Sequence, residues 1–159
     1  MSPADAQPDG STGVRAGAHR VLRLWTRPES GGPMAPRESL ELVAGQGVRG
    51  DHGFGSKRHV TVIFEDDWLA ATDALGRDVD PAGRRANVLL SGGGGAAWLG
   101  KTVRLGPATL QVHAETRPCE IMDEAAPGLM DALKPDVRAG FWATITTGGT
   151  LRPGDTLRA

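Results

Sequence analysis

A glycine-rich loop between two apolar segments holds the first side chains that could do chemistry. Residues 47–59 read GVRGDHGFGSKRH, with a carboxylate at Asp51, imidazoles at His52 and His59, and three basic side chains. Asp51 and His52 are adjacent and point apart in extended backbone, so they make a poor metal site on their own. The bases, Arg58 among them, could bind an anion through charge-assisted hydrogen bonds. Asp51 could instead cap backbone N–H groups in a glycine-rich turn, and the loop alone leaves both interpretations open.

Two arginines and an asparagine form a second candidate site. The segment RRAN at residues 84–87 comes directly before the apolar residues 88–90. The guanidinium groups of Arg84 and Arg85, together with the amide of Asn87, could hold a phosphate. The alternative is a solvated turn that leads into a strand.

The single cysteine, Cys119, is the third candidate. It cannot form a disulfide within the chain, nor a zinc site made of cysteines. Its neighbours in the segment TRPCE are polar or charged, and Arg117 would favour the thiolate. A thiolate can act as a nucleophile, a persulfide carrier or a soft-metal ligand. The alternative interpretation is a small buried apolar residue.

Residues 95–102, GAAWLGKT, match the phosphate-binding pattern G-x-x-x-x-G-K-[ST]. That loop requires a helix directly after its lysine. Here residues 102–105 and 109–112 alternate apolar with polar side chains around a Gly-Pro turn, which predicts two strands. We therefore expect Trp98 and Leu99 to pack into a core and Lys101 to face solvent, and the sequence does not favour an ATPase.

The elements that must position these residues are mostly short strands. Alternating or apolar runs predict about eight strands, and an acidic first turn followed by an apolar face predicts a helix over residues 65–75. A second short helix is predicted over residues 127–133, with Pro127 at its start. This pattern indicates a mainly β fold, a closed or nearly closed β-barrel with two short helical insertions. The predicted strands cover residues 19–26, 38–43, 59–64, 88–90, 102–105, 109–114, 141–147 and part of 150–158.

Length and composition exclude several classes of protein. The 159 residues suit a single domain, which we place at residues 19–159 behind a flexible N-terminal tail, residues 1–18. The net charge of −1 and the absence of tyrosine argue against nucleic-acid binding. No apolar run approaches the roughly 20 residues of a membrane span, and the N-terminus lacks the apolar stretch of a secretion signal. We expect a cytoplasmic protein with no membrane partner.

Seven segments together resemble the MOSC domain family, named for the C-terminal domain of molybdenum cofactor sulfurase. The resemblance runs from about residue 20 to residue 158 and is nearest to the small single-domain members. Its segments are GVRGDH (47–52), RHVTVI (58–63), RANVLLSG (85–92), LGKTVRLG (99–106), PC (118–119), GFWA (140–143) and RPGD (152–155). In this family the Leu-x-Gly-Lys segment opens a barrel strand, so the match to the phosphate loop is coincidental.

The resemblance implies a barrel like the small domain of pyruvate kinase, and a role in sulfur transfer or molybdenum-cofactor chemistry. It implies that Cys119 is a persulfide carrier or a metal ligand, supplied with sulfur by a pyridoxal-phosphate-dependent cysteine desulfurase. Arg58, Arg85 and Asn87 would hold an anionic cofactor or substrate. Asp51 and His52 would shape the loop or move protons.

Three positions depart from the family pattern. Gly53 stands where members often have histidine, Ala86 replaces a glutamate, and Thr116 stands where some small members have a second cysteine. Two alternatives therefore stay open beside the cofactor role. One is a metal-free enzyme on the same fold that acts on a sulfur-containing small molecule. The other is a non-catalytic module that delivers sulfur or cofactor to a partner.

Overall fold

Within residues 19–159, the range that the computed structural model describes, seven strands close into a β-barrel, as the sequence predicts. The predicted tail, residues 1–18, lies outside this range. In chain order the strands are β1 (His19–Thr26), β2 (Ala35–Arg37), β3 (Leu40–Val43), β4 (Gly47–Val48), β5 (Val60–Phe64), β6 (Val88–Leu90), β7 (Thr102–Leu105), β8 (Ala108–Glu115), β9 (Phe141–Thr147), β10 (Gly149–Leu151) and β11 (Thr156–Arg158). The barrel runs β1, β11, β7, β8, β9, β5, β6 and back to β1.

The barrel interior is filled by every second side chain of its strands. In β7 and β8, for example, Val103, Leu105, Leu110 and Val112 are buried and alternate with more exposed residues. This two-residue period is why the sequence pattern locates these strands correctly. Trp98 and Leu99 pack against the same core and Lys101 is exposed, as predicted.

The main helix connects two parallel strands of the barrel. β5 and β6 pair in parallel, and the crossover between them is helix α1 (Glu65–Leu75), with the bounds that the sequence predicts. Three acidic residues in its first turn suit the positive end of the helix dipole. Gly76, in the left-handed conformation at φ 71°, ends it. Its buried residues Trp68 and Ala71 belong to a second apolar cluster outside the barrel.

Two further helices complete that cluster. The helix predicted over residues 127–133 is shorter, α3 (Leu129–Ala132), because Gly128 in front of it takes a left-handed conformation at φ 89°. A one-turn helix, α2 (Met122–Ala125), precedes it and was not predicted, because four residues are too short to show a helical period. Short 3₁₀ turns lie at Pro81–Arg84, Gly95–Trp98 and Pro135–Val137.

A small sheet of β3, β4 and β10 lies beside the barrel. The sequence predicts one strand over residues 38–43 and then a loop; within that range the structure has β3, and it adds two short strands that were not predicted, β2 before it and the two-residue β4 after it. Such short strands have too few residues for a recognisable alternation. The end of β4 and the start of β5 hold the two ends of the loop that carries Asp51 and Arg58.

The backbone of the glycine-rich loop before β7 forms hydrogen bonds with a carboxylate of the same chain. The Asp67 carboxylate of α1 accepts hydrogen bonds from the backbone N–H groups of Gly94, at 3.0 Å, and Gly95, at 3.1 Å. After Lys101 the chain continues as strand β7, as predicted, and not as the helix that a phosphate loop needs.

At Gly140 two chain segments approach so closely that no side chain fits between them. Its φ is 89°, and a Cβ there would overlap the carbonyl oxygen of Val62 on β5. Only glycine tolerates both conditions. The Gly140 carbonyl in turn accepts the N–H of Thr116 at 2.9 Å, which ties the segment after β8 to the barrel. No helix in residues 19–159 is long and apolar enough to cross a bilayer.

Candidate functional site

One cavity of about 290 Å³ brings together side chains from four separate parts of the chain. That volume is at the lower end of the range for small-molecule sites, ~300–1,000 Å³. The walls come from the residue after β1, the loop between β4 and β5 with the start of β5, residues 84–87 before β6, and the segment from the end of β8 to the start of α2. Its lining residues are Arg27, Asp51, Gly53, Ser56, Arg58, Thr61, Arg84, Arg85, Asn87, Thr116, Arg117, Cys119, Ile121 and Met122.

Five of the six site residues proposed from the sequence line this cavity. They are Asp51, Arg58, Arg85, Asn87 and Cys119. The sixth, His52, has an exposed side chain and is not among the lining residues. The three segments singled out separately in the sequence therefore form one site, with the imidazole of His52 outside it.

The Asp51 carboxylate organises the loop around it. Oδ1 accepts the backbone N–H of Arg27 at 2.7 Å and the Asn87 amide at 3.3 Å, and Oδ2 accepts the backbone N–H of Gly53 at 2.9 Å. These contacts match the capping interpretation that the sequence left open. Gly53 lies close to this carboxylate, since a Cβ at that position would be 3.1 Å from Asp51 Oδ2 and the carboxylate would have to shift by a few tenths of an ångström.

Asn87 fastens the strands beside the cavity. Its Oδ1 accepts the backbone N–H of Thr61 on β5 at 3.0 Å, and its Nδ2 donates to the carbonyl of Trp25 on β1 at 3.3 Å. With the Asp51 contact, both ends of the amide are engaged. Asn87 therefore holds the cavity wall together, and its side chain has little bonding capacity left for a ligand.

Arg84 is the buried cation of the site, with only 6% of its surface exposed. Its Nε donates to the Ala139 carbonyl at 2.8 Å and Nη2 to the Thr116 carbonyl at 2.9 Å, while Nη1 lies 4.0 Å from the Met122 sulfur. Burial, partly offset by Cys119 and reinforced by Arg58, lowers the pKa of Arg84 to about 10, so it stays charged at neutral pH. A guanidinium has five N–H groups, so some remain for a ligand.

The other cavity arginines are held without carboxylate partners. The Arg58 guanidinium lies over the Trp142 ring, 5.5 Å from its centroid, and Trp142 stacks on His113. Arg85 has a left-handed backbone at φ 66° and donates from Nη2 to the Gly32 carbonyl at 2.6 Å. Among the described residues, none of the five cavity arginines forms an ion pair with a carboxylate. The cavity is therefore strongly positive and suits an anion.

Two buried polar atoms in the cavity wall have no hydrogen-bond partner within residues 19–159: Nε of Arg27 and Oγ1 of Thr116. Sequence reasoning missed Arg27 altogether, because nothing in its neighbourhood distinguishes it from a surface arginine. For Thr116 the sequence indicated only a departure from the family pattern and no role in the site. Arg84 was considered as one of a pair, but its deeper burial was not expected.

Cys119 lies at the exposed side of the site. Its thiol is free and accessible, and its carbonyl accepts the N–H of Met122, which begins α2. No group of three or more His, Cys, Asp and Glu side chains in the described part of the chain could hold a metal ion. Protein atoms therefore supply this site with the Cys119 thiol, the Met122 thioether and several cations.

Comparison with known proteins agrees with this architecture. The MOSC domain family model matches residues 49–158. No curated protein matches the chain. Among solved structures, the YuaD protein from Bacillus subtilis is similar with a TM-score of 0.77 and 16% identity, over 89% of this chain and 94% of that one.

Two further solved structures have the same fold. YiiM from Geobacillus stearothermophilus has a TM-score of 0.69 and 17% identity, over 88% of this chain and 74% of that one. YiiM from Escherichia coli has a TM-score of 0.65 and 17% identity, over 87% and 68% of the respective chains. At such low identity these neighbours show the fold alone.

Proposed function

This chain belongs to the MOSC domain family, which is associated with molybdenum-cofactor-related proteins, and we propose that its arginine-lined cavity binds an anionic group of that cofactor. In this proposal Cys119 supplies a thiolate, as a ligand of the metal or as a carrier of sulfur. Arg58, Arg84 and Arg85 bind the negative charge.

The observation that carries the proposal is the convergence of five arginines and the single thiol on one cavity. Asp51 is the one carboxylate in its lining, and its oxygens already accept hydrogen bonds from the chain. Arginines therefore outnumber carboxylates five to one in the lining, and an anionic ligand would balance this excess of positive charge. Guanidinium groups bind phosphate and carboxylate groups with two parallel hydrogen bonds, which favours an anion of this kind.

The residues present fit a metal that arrives on an organic carrier. The described residues hold no group of three metal-binding side chains, so a metal ion bound by protein ligands alone is not supported. A metal whose other ligands come from a pterin needs only one soft protein ligand, and Cys119 is of the right chemical type. When bound, the cofactor would supply two-electron redox or sulfur chemistry at molybdenum.

The chain's own residues have separable roles in this proposal. Asp51 and Asn87 keep the cavity open and shaped through their hydrogen bonds. Arg84 fixes the segment that leads to Cys119, since it binds the carbonyls of Thr116 and Ala139. His52 lies outside the lining, so we assign it no proton transfer.

The test is the molybdenum and pterin content of protein purified without oxygen from a host that makes the cofactor. Three variants are compared with the wild type: Cys119→Ser, Arg58→Met and, as a matched control, Arg104→Met, which removes an exposed arginine on β7. We expect near-stoichiometric molybdenum and pterin in the wild type and in the control. Arg58→Met should lose both.

Cys119→Ser decides the role of the thiol. Loss of molybdenum in this variant supports a metal ligand, while full retention removes Cys119 as the anchor. If neither the wild type nor any variant carries molybdenum or pterin, a stably bound cofactor is refuted. Metal-free chemistry on a sulfur-containing small molecule would then become the leading hypothesis, and a stable complex with a partner enzyme without turnover would indicate a delivery module.

The accessibility of Cys119 favours transient sulfur carriage as a second candidate function. A pyridoxal-phosphate-dependent cysteine desulfurase would be the donor: its persulfide would transfer the terminal sulfur to the Cys119 thiolate, and its own thiolate would leave. Incubation with a desulfurase and cysteine should add the mass of one sulfur atom to Cys119, and a reductant should remove it. An unchanged mass would rule out this route for the desulfurase used.

A further inference from the structure

The hydroxyl of Thr116 is a polar group without a partner in a position that is otherwise fully bonded. Thr116 is only 8% exposed. Its N–H donates to the Gly140 carbonyl and its own carbonyl accepts from Arg84, each at 2.9 Å. The backbone is thus fixed on both sides, while Oγ1 has no partner among the described residues.

Arg27 repeats this arrangement on another wall of the cavity. Its N–H donates to Asp51 Oδ1 at 2.7 Å, and its carbonyl accepts the N–H of His52 at 2.6 Å. The side-chain Nε is buried and has no acceptor within residues 19–159. Both unpartnered atoms belong to residues that line the same cavity.

A buried polar atom without a partner destabilises a fold, so native proteins rarely keep one unless a ligand or water completes it. The Arg27 Nε–H group can only donate, and the Thr116 hydroxyl can donate. The partner missing from Arg27 Nε must therefore accept a hydrogen bond, and an acceptor in the same cavity can also take the hydrogen of the Thr116 hydroxyl. Because arginines surround the cavity and carry no carboxylate partners, a negatively charged acceptor is favoured over a neutral one.

We propose that Thr116 Oγ1 and Arg27 Nε are the donors that bind a tetrahedral oxoanion group in this cavity, either a phosphate ester or a free oxoanion such as sulfate or phosphate. The two donors come from different segments, the residue after β1 and the segment after β8. Arg84, at the end of the 3₁₀ turn Pro81–Arg84, provides further N–H donors from a third segment. A tetrahedral group offers oxygens in several directions. A planar carboxylate offers two in one plane.

This inference rests on the proposed function in that both use one cavity, and it adds two donors that the proposed cofactor role does not require. The phosphate of a cofactor and a free oxoanion share the same chemistry. They differ in what the cavity binds in the absence of an organic group. The probes are therefore inorganic sulfate, inorganic phosphate and phenyl phosphate as a simple monoester, added to the full chain purified without cofactor.

The variants change one donor at a time. Thr116→Val removes the hydroxyl and keeps the shape, Thr116→Ser keeps the hydroxyl, and Arg27→Lys keeps the charge but removes Nε–H. By calorimetry we expect Thr116→Val and Arg27→Lys to bind the preferred oxoanion about tenfold or more weakly than the wild type, since a hydrogen bond to a charged group is lost. Thr116→Ser should stay within about threefold of the wild type.

Thermal unfolding separates a ligand donor from a structural group. At 100 times the Kd, the oxoanion should raise the wild-type Tm by about 5–10 °C, and this gain should shrink in Thr116→Val. Without ligand, Thr116→Val should melt no lower than the wild type, because its hydroxyl has no partner to lose. A Thr116→Val protein that melts well below the wild type would show a structural hydroxyl and overturn the proposal.

The binding results also distinguish this inference from the proposed function. Binding of sulfate or inorganic phosphate indicates a free-oxoanion site, and binding of phenyl phosphate alone indicates a phosphate ester. If none of the probes binds, or if both donor variants bind like the wild type, the inference is wrong. Molybdenum found in the wild type would then still support the cofactor role. Oxoanion binding in a protein that never carries molybdenum would support the inference and refute the proposed cofactor.

Discussion

Replacing Asp51 by alanine should destabilise the protein by about 2–4 kcal/mol. The carboxylate accepts the backbone N–H groups of Arg27 and Gly53, and alanine leaves both without an acceptor. Each buried group left without a partner costs about 1–3 kcal/mol, so two such groups cost about 2–6 kcal/mol. Asp51 is only partly buried, which places the expected loss in the lower half of that sum, at about 2–4 kcal/mol. The lost contact with the Asn87 amide acts in the same direction.

Chemical unfolding in urea measures this change directly, with thermal unfolding as a second observable. For a chain of this size, the Asp51→Ala variant should melt roughly 5–15 °C below the wild type. Asp51→Asn should lie between the two, because its amide oxygen can accept one of the N–H groups while its amide nitrogen cannot accept the other. The adjacent His52→Ala is the matched control and should change the free energy of unfolding by less than about 0.5 kcal/mol.

The result that would refute this reasoning is an Asp51→Ala protein as stable as His52→Ala. The carboxylate would then not hold the loop, and its place in the cavity wall would have to be explained by ligand binding or proton transfer. The sequence left these two roles of Asp51 open. The stability difference decides between them without knowledge of the substrate.

Three other substitutions test the scaffold around the site. Gly140→Ala should lower the free energy of unfolding by more than about 3 kcal/mol in urea, because its Cβ overlaps a backbone carbonyl, while Gly154→Ala, with open space around it, should cost only about 1–2 kcal/mol for its left-handed backbone. Burial, together with the charge of His113, lowers the pKa of His59 below 6.5, so the native state binds its proton more weakly than the unfolded chain. Stability should therefore be complete above pH 6.5 and fall as the pH drops below it, and a series of thermal melts should show a smaller fall in His59→Asn. Asp67→Ala should lower the Tm by about 3–10 °C, since two amide groups of the glycine-rich loop lose their acceptor.

The parts of the fold that follow a local period could be predicted from the sequence. Helix α1 has the predicted bounds, and β1 and β9 coincide with their predicted ranges. Long alternating strands and a helix with an acidic first turn can be recognised from the residue pattern of the segment itself. The two-residue β4 and the one-turn α2 do not, because tertiary packing and not local pattern decides their conformation.

The candidate site was predictable by residue type but not by burial. Asp51, Arg58, Arg85, Asn87 and Cys119 were proposed from charge and spacing, and all of them line the cavity. No rule of sequence predicts a buried arginine, since arginine is expected on the surface. The unpartnered hydroxyl of Thr116 depends on which carbonyls its neighbours bind, and only the folded chain determines that.

The burial of Arg84 is a physical argument that this cavity binds an anionic ligand. Burial lowers the pKa of Arg84 to about 10, well below the ordinary value of an arginine, so holding the charged form in place costs on the order of 3 kcal/mol. Two backbone carbonyls offset part of that cost, yet an apolar side chain of similar volume would avoid it. An anion bound in the cavity would favour the charged form, so its binding should raise the pKa of Arg84 and stabilise the fold. By linkage the two effects are equal in free energy. The rise in the pKa of Arg84 when an anion binds corresponds to the amount by which the charged Arg84 strengthens binding of that anion.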